Sequence, residues 1–296
     1  MIGGSFMLDN VILGDNQFFG INHMSEEKAD ALAVKFRTLK AITDVIDTAY
    51  DNGVRAFMLN TNDRAKEICD HLRNNPDRYA DLVLYPSMPY AHKYANIVAE
   101  KGIFGAINEV LVSDSNAGEL LGMIGKGSKI LFDKDIIKTM QLLVDVEMKI
   151  FRNLTVKVVF LQNIVTDLLL GFGIKEIFVE YVRYLENKYH VQAGFNTMNM
   201  VKMVDFLGEC GIENPIVCFS INKAGYLVNP DISSYEKTIK EKHFQPVAMS
   251  VLASGAVKPK DAIAYVCRDL GIKSVVFGAS SARNIIETKS LIESYC

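Results

Sequence analysis

Eight short apolar runs along the chain each precede a segment in which apolar positions recur with helical periodicity. The runs are apolar at nearly every position, which is typical of strands buried on both faces of a parallel sheet. The segments between them repeat their apolar positions every 3.6 residues. The predicted strands are Val11 to Leu13, Ala56 to Leu59, Leu82 to Tyr85, Val156 to Leu161, Val191 to Phe195, Ile216 to Ile221, Val247 to Leu252 and Ser274 to Phe277. The pattern therefore indicates an α/β protein made of repeated strand-helix units.

Glycines close several of the helical patterns, at Gly53, Gly211 and Gly271, where a left-handed C-cap is needed before the next strand. Eight such units in 296 residues match a (β/α)8 TIM barrel in size and period, and a doubly wound open sheet is the alternative. No Pro/Ser-rich linker divides the chain, so we expect a single TIM-barrel domain over residues 1–296.

One interval is irregular, because about 70 residues separate the third and fourth predicted strands. It contains Gly102 to Val112, the glycine-punctuated stretch Gly118 to Gly127, and a long helical pattern from about Asp133 to Asn153. We expect extra helices at about 102–153, serving either as a lid over the barrel mouth or as an oligomer contact.

The composition narrows the class of protein. Thirty-two Lys and Arg against 35 Asp and Glu give a net charge of −3, which lacks the basic excess that nucleic-acid binding requires. The most apolar run, Ile164 to Phe172, is interrupted by Asp167 and falls short of the roughly 18 residues of a membrane span. Five cysteines without C-x-x-C spacing fit a reducing cytoplasm. We expect a cytoplasmic protein whose partner is a small-molecule substrate.

The residues directly after the predicted strands are unusually polar and rich in amides. In a barrel these strand ends carry the chemistry, and amides orient hydroxyl and carbonyl groups without exchanging protons near pH 7. For any single Asn, an Asx-turn or helix cap is an equally good explanation. The candidate catalytic residues are Asp15, Asn60, Tyr90, His92, Lys93 and Lys223. The candidate substrate-binding residues are Asn16, His23, Gln162, Asn163, Asn196 and Asn222.

Small residues follow the last two strands, in Leu252 to Ala256 and Phe277 to Ser281. Small side chains let backbone N–H groups approach an anion, and a helix beginning near Ala282 would point its positive end at the same place. A tight turn with a helix cap would also explain these residues. The candidate residues for a phosphate or nucleotide are Ser254, Gly255, Gly278, Ala279, Ser280, Ser281 and Arg283.

Several other kinds of site find no support in the sequence. The five histidines are scattered without metal-ligand spacing, so we expect no catalytic metal. Neither a Ser-His-Asp order nor a G-x-S-x-G elbow occurs. The first loop, Gly14 to Gly20, is neither a G-x-G-x-x-G motif nor a P-loop, and we expect its Phe18 and Phe19 to pack at the rim.

The C-terminal stretches Pro246 to Gly255, Lys260 to Tyr265 and Ser274 to Ser281 resemble the aldo/keto reductase superfamily. Weaker echoes occur at Val158 to Asn163 and Gly194 to Thr197. The likeness spans roughly half the chain. It implies a TIM barrel and a G-A-S-S turn that holds the phosphate end of NADP.

The catalytic tetrad of that superfamily, which is Asp, Tyr, Lys and His, is not matched. The position of the Asp is Asn60, that of the Tyr is Ala65, and that of the His is Gln162. The third strand offers no lysine before Lys93. The resemblance therefore implies the barrel and the cofactor turn but not the family's proton donor.

Three functions follow from these observations. The first is a divergent NAD(P)-linked oxidoreductase whose proton relay uses Tyr90, His92 or Lys93. The second is a cofactor-free lyase, aldolase or isomerase on a phosphorylated metabolite, with Lys223 as a Schiff-base amine and Asp15 as acid or base. The third is a non-catalytic binding protein on a decayed barrel.

Overall fold

Eight parallel strands form a closed barrel in chain order in the computed structural model, which describes residues 7–20, 26–91 and 133–296. The barrel closes through β1 and β8, where Ile12 pairs with Val276. The strands are β1 (Val11–Leu13), β2 (Ala56–Asn60), β3 (Val83–Met88), β4 (Val158–Leu161), β5 (Gln192–Thr197), β6 (Ile216–Ser220), β7 (Gln245–Met249) and β8 (Ser274–Phe277). The predicted (β/α)8 barrel is confirmed, and the open sheet is excluded.

Ten α-helices surround the strands in the described ranges. They are α1 (Glu26–Lys35), α2 (Leu39–Asp51), α3 (Ala65–Arg73), α4 (Asp133–Met148), α5 (Asn163–Phe172), α6 (Lys175–Tyr184), α7 (Met200–Glu209), α8 (Ile232–Glu241), α9 (Pro259–Ile263) and α10 (Ala282–Tyr295). Single π-helical turns extend α6 and α9.

One predicted helix, Lys28 to Asn52, is in fact two. The chain leaves α1 at Phe36, whose ring packs edge-on against Phe18 with 5.1 Å between the ring centroids. Helix α2 then starts afresh, because the Thr38 side chain caps it by accepting a hydrogen bond from the Ala41 N–H. Phe18 therefore packs in the hydrophobic core and not at the rim as predicted, while Phe19 is partly buried against the same core.

The barrel interior is filled by side chains. Tyr85 and Phe160 stack in it with their centroids 6.3 Å apart, beside Met58. Gly194 makes this possible, since a Cβ there would lie 2.5 Å from the Phe160 ring. The chemistry is therefore confined to the polar layer above these rings, at the C-terminal ends of the strands.

Helix α4 confirms that extra helical structure lies between β3 and β4, and it packs against α6. The predicted stretches Gly102 to Val112 and Gly118 to Gly127 lie outside the described residues.

Near the C-terminus, a disulfide joins Cys267 to Cys296, a pairing that the sequence did not predict. Across the described ranges, no helix is long and apolar enough to cross a membrane.

Candidate active site at the barrel mouth

Asp15 is the buried carboxyl group at the mouth. It follows β1, is 3% exposed, and is held by the end of β2. The Asn60 N–H donates to Asp15 Oδ2 over 2.7 Å, and Asn60 Nδ2 donates to Asp15 Oδ1 over 2.8 Å. Burial raises the pKa of Asp15 to about 7, despite the opposing effect of these hydrogen bonds. The group can therefore give up or take a proton near neutrality.

Tyr90 is close enough to Asp15 for the charge of that carboxylate to raise the pKa of its phenol. It is half-buried just beyond β3, and its pKa is raised first by burial and then by the charges of Asp15 and Asp63. Its phenol therefore keeps its proton at neutral pH. The structure thus brings two sequence candidates, Asp15 and Tyr90, to the same part of the mouth.

Glu147, a residue that the sequence analysis missed, helps to place Tyr90. It is fully buried on α4, accepts a hydrogen bond from the Thr61 hydroxyl, and accepts a second from the Tyr90 N–H over 3.4 Å. Thr61 and Glu147 are 86 residues apart in the chain. The only available signal was an acidic residue among the apolar positions of the α4 pattern.

The side-chain amides predicted for substrate binding differ in how many of their donors and acceptors already form hydrogen bonds within the protein. Asn222 is saturated, because its oxygen accepts from the Ala224 and Tyr226 N–H groups while its nitrogen donates to the Tyr226 and Ser250 carbonyls. Gln162 accepts from the Ala91 N–H over 3.0 Å. Asn222 thus makes the local turn that the Asx-turn alternative expects, whereas Gln162 binds the backbone of a residue 71 positions away in the chain.

The side-chain oxygen of Asn196 is a buried hydrogen-bond acceptor without a donor. Asn196 is 7% exposed, and its Nδ2 donates to the Ser87 hydroxyl over 2.9 Å, while its Oδ1 accepts no hydrogen bond. A buried acceptor without a donor is costly unless a ligand or water supplies one. Of the other two predicted amides, Asn163 is partly exposed at the start of α5, and Asn16 is exposed.

The turn after β8 leads into α10 as predicted. Gly278 is exposed, Ala279 is buried, and Ser281 caps the helix by accepting from the Asn284 N–H over 3.3 Å. Arg283 is exposed in the first helical turn. This cap confirms that a helix begins directly after the turn, so the turn lies at the positive end of α10.

The turn after β7 is built from left-handed residues. Ser254 has a φ of 54°, and Gly255 has a φ of 94° and is exposed. Strands β7 and β8 pair directly, with Val247 opposite Ser274, so the two predicted small-residue turns follow neighbouring strands.

The side chain of Gln17, which follows β1 in the chain, lies beside Gly278 in the turn after β8 and offers a polar ligand an acceptor there. Its Nε2 donates to the Gly14 carbonyl over 2.7 Å, which fixes the amide orientation. Its Oε1 then accepts nothing, although the side chain is 7% exposed. A Cβ on Gly278 would lie 2.6 Å from this oxygen, so only glycine permits the approach.

Lys223 follows the end of β6. It is exposed, and its ammonium lies 5.8 Å from the centroid of the Tyr265 ring. A Schiff-base amine needs burial or a neighbouring cation to lose its proton near neutrality. Exposure of Lys223 therefore weighs against the lyase or aldolase alternative.

His23, His92 and Lys93 lie outside the described residues.

The described ranges bring together no group of three or more His, Cys, Asp or Glu side chains that could hold a metal.

Comparison with solved structures identifies the architecture. A protein of Pseudomonas aeruginosa, described as an aldo-keto reductase, superposes with a TM-score of 0.58 at 11% identity, covering 97% of this chain and 90% of its own. The two proteins share the (β/α)8 barrel fold. An aldo-keto reductase of the silkworm Bombyx mori gives a TM-score of 0.53 at 11% identity, covering 95% of this chain and 78% of its own. The sequence resemblance is thus confirmed at the level of the fold. No protein-family model and no curated protein sequence matches the chain.

Proposed function

We propose that this chain is an NAD(P)-linked oxidoreductase of the aldo/keto reductase kind, with a proton relay of its own. The observation that carries the proposal is the buried Asp15 carboxyl, whose pKa is raised to about 7 at the mouth of the barrel. A structural carboxylate is normally kept ionised by a cation or by several donors, whereas a perturbed acid in a barrel mouth is typical of catalysis.

Asp15 supplies the carboxyl group that the superfamily resemblance implies and that Asn60 lacks. The resemblance implies an Asp at position 60, and the Asp15 carboxylate lies 2.8 Å from the Asn60 amide nitrogen. The acidic group has therefore moved to the neighbouring strand end. We propose a similar displacement for the phenol, because position 65 is an alanine and Tyr90 is present beyond β3.

Reduction of a carbonyl needs hydride on its carbon and a proton on its oxygen. A bound nicotinamide nucleotide supplies the hydride. The protein supplies the proton, which we assign to the Tyr90 hydroxyl, with Asp15 returning it through proton exchange near neutral pH. Gly278, Ser280, Ser281 and Arg283 would hold the phosphate end of the cofactor, beside Gln17.

The test is NADPH-linked reduction of a panel of aldehydes and ketones by the wild type and Asp15→Asn. We expect the substitution to lower kcat by about 100-fold or more while NADP affinity stays within about threefold. The matched control is Asp167→Asn, since both Asp167 oxygens also accept hydrogen bonds, from the Thr197 hydroxyl and the Met198 N–H. That variant should keep kcat within about threefold. Wild-type protein that neither binds NADP(H) nor reduces any carbonyl would refute the proposal.

A further inference from the structure

Lys35 reaches the β8 turn from the opposite end of the chain. Its ammonium, at the end of α1, donates to the Ser280 carbonyl over 2.5 Å, although the two residues are 245 positions apart. It also lies 5.3 Å from the centroid of the Phe36 ring, which is buried and held by Phe18. The ammonium is therefore held in place at the turn by two contacts before any ligand arrives.

The ammonium keeps unused binding capacity. A lysine ammonium has three donors, and the described part of the chain provides one acceptor, the Ser280 carbonyl. Arg283, in the first turn of α10, is exposed, and no acidic partner for it is found in the same ranges. Lys35 therefore contacts the turn formed by Gly278 to Ser281, and the N-terminus of α10 with Arg283 follows this turn directly in the chain.

The charges match one class of ligand. Lys35 and Arg283 contribute one positive charge each, and a helix N-terminus contributes about half a charge. A phosphate monoester carries about −1.5 to −2 at pH 7, which comes closer to neutralising this sum than the charge of about −1 on a phosphodiester. The site therefore fits a terminal phosphate group better than the bridging phosphates of a dinucleotide.

Gln17 indicates what lies next to that phosphate. Its Oε1 is buried, accepts no hydrogen bond and lies beside Gly278. Gly278, which lies beside the Gln17 oxygen, and Ser280, whose carbonyl binds Lys35, are two residues apart in the chain. The backbone between them spans at most about 7 Å. That spacing is comparable to the length of a phosphorylated sugar.

We propose that two residues between β1 and α2, Lys35 and Gln17, supply the second half of the phosphate site, with Lys35 binding a phosphate monoester and Gln17 accepting a hydrogen bond from a hydroxyl or amino group of the same ligand. The inference rests on the proposed function in that the monoester would belong to NADP. A phosphorylated metabolite offers the same chemistry, and the experiment separates the two sources.

The experiment measures the affinities of NADP, NAD and inorganic phosphate by calorimetry for the wild type and Lys35→Met. Loss of a charge-assisted hydrogen bond should weaken NADP binding by about 10-fold to 100-fold and NAD binding by less than about threefold. Lys35→Arg should restore most of the NADP affinity. Lys40→Met is the matched control, because Lys40 pairs with Asp44 on the exposed face of α2, and its affinities should not change.

Gln17→Met tests the other contact and has a different expected signature. It removes an interaction with the sugar that both cofactors share, so it should weaken NADP and NAD alike, by about fivefold to 10-fold. Thermal denaturation confirms that each variant is folded.

Failure of the inference and failure of the proposed function give different results. If the wild type binds NADP and Lys35→Met binds it equally well, Lys35 only attaches α1 to the barrel and the inference is overturned. If the wild type binds neither nucleotide but binds inorganic phosphate in a Lys35-dependent manner, the phosphate site stands and the NAD(P) function falls. If the wild type binds none of the three, both are refuted.

Discussion

Asp15 and Asn60 are joined by two hydrogen bonds across the ends of adjacent strands, 45 residues apart in the chain. Both carboxylate oxygens accept from the same residue, one from its backbone and one from its side chain. This pairing positions the Asp15 carboxyl without a cation, so burial dominates and its pKa rises.

Replacing Asp15 should change how stability depends on pH. Its pKa is raised from 3.8 to about 7 on folding, so between these values the native state binds more protons than the unfolded state. The free energy of unfolding therefore falls as the pH rises through this window. The free energy of unfolding of Asp15→Asn, measured relative to that of the wild type, should therefore increase by about 3 kcal/mol as the pH rises from 4.5 to 7.5. Urea denaturation across this range measures the difference, with the exposed Asp44→Asn as control. Parallel curves for Asp15→Asn and wild type would show that Asp15 is ionised throughout.

Removing the Tyr90 hydroxyl should affect turnover and leave cofactor binding intact. Burial and the charge of Asp15 raise the pKa of Tyr90, so the phenol is the protonated member of the pair. Tyr90→Phe should lower kcat by about 100-fold. Tyr189→Phe is the control, because that hydroxyl bonds Asp145 on the outer helices. Equal losses in the two variants would mean that the effect is structural.

Adding a methyl group at Gly278 should disturb the β8 turn. The new Cβ would lie 2.6 Å from Gln17 Oε1, so the amide or the turn must move. We expect Gly278→Ala to lower the free energy of unfolding by about 1 to 3 kcal/mol and to weaken NADP binding. Gly171→Ala, in α5 with no atom within 4 Å of the new Cβ, should instead stabilise by about 0.5 to 1 kcal/mol. Thermal denaturation and calorimetry distinguish these outcomes.

The aromatic filling of the barrel depends on Gly194. Its Cβ would lie 2.5 Å from Phe160, so Gly194→Ala should cost about 1 to 3 kcal/mol of unfolding free energy. Combining it with Phe160→Leu should recover part of that loss, which a double-mutant cycle measures. Gly208→Ala in α7, where no neighbour lies within 4 Å, should not destabilise. Strict additivity of the two core substitutions would disprove the contact.

Lys223 should be dispensable for turnover. It is exposed, and its ammonium lies over the ring of Tyr265. Lys223→Met should therefore keep kcat within about twofold in any assay that detects activity. Loss of activity, together with borohydride trapping of a substrate at Lys223, would revive the lyase alternative.

Strand positions were predictable because burial on both faces leaves a continuous apolar run. The bounds of β1 and β8 agree with the prediction to the residue. Strand β3 extends past Tyr85 to Met88, since Ser87 stays in the barrel by accepting a hydrogen bond from Asn196. A polar residue that is satisfied across the barrel gives no local signal of a strand.

Site residues were predictable where position along a strand sufficed. Asp15 and Tyr90 follow strand ends, so a parallel barrel must bring them to one face. Glu147, Gln17 and Lys35 were missed as site residues because their partners are distant in the chain or come from another strand end, as with Ser280 and Lys35.

The order of apolar runs and helical patterns determined, by itself, that this chain consists of eight strand-helix units with polar groups at the strand ends, whereas the pairing of β1 with β8 closes them into a barrel. The periodicity of burial is a local property that each segment carries. Only the tertiary structure decided which of those polar groups is an acid near neutrality and which amides are already satisfied. The pKa of Asp15 and the spare oxygens of Gln17 and Asn196 depend on exclusion of water and on partners from other strands, which no single segment specifies.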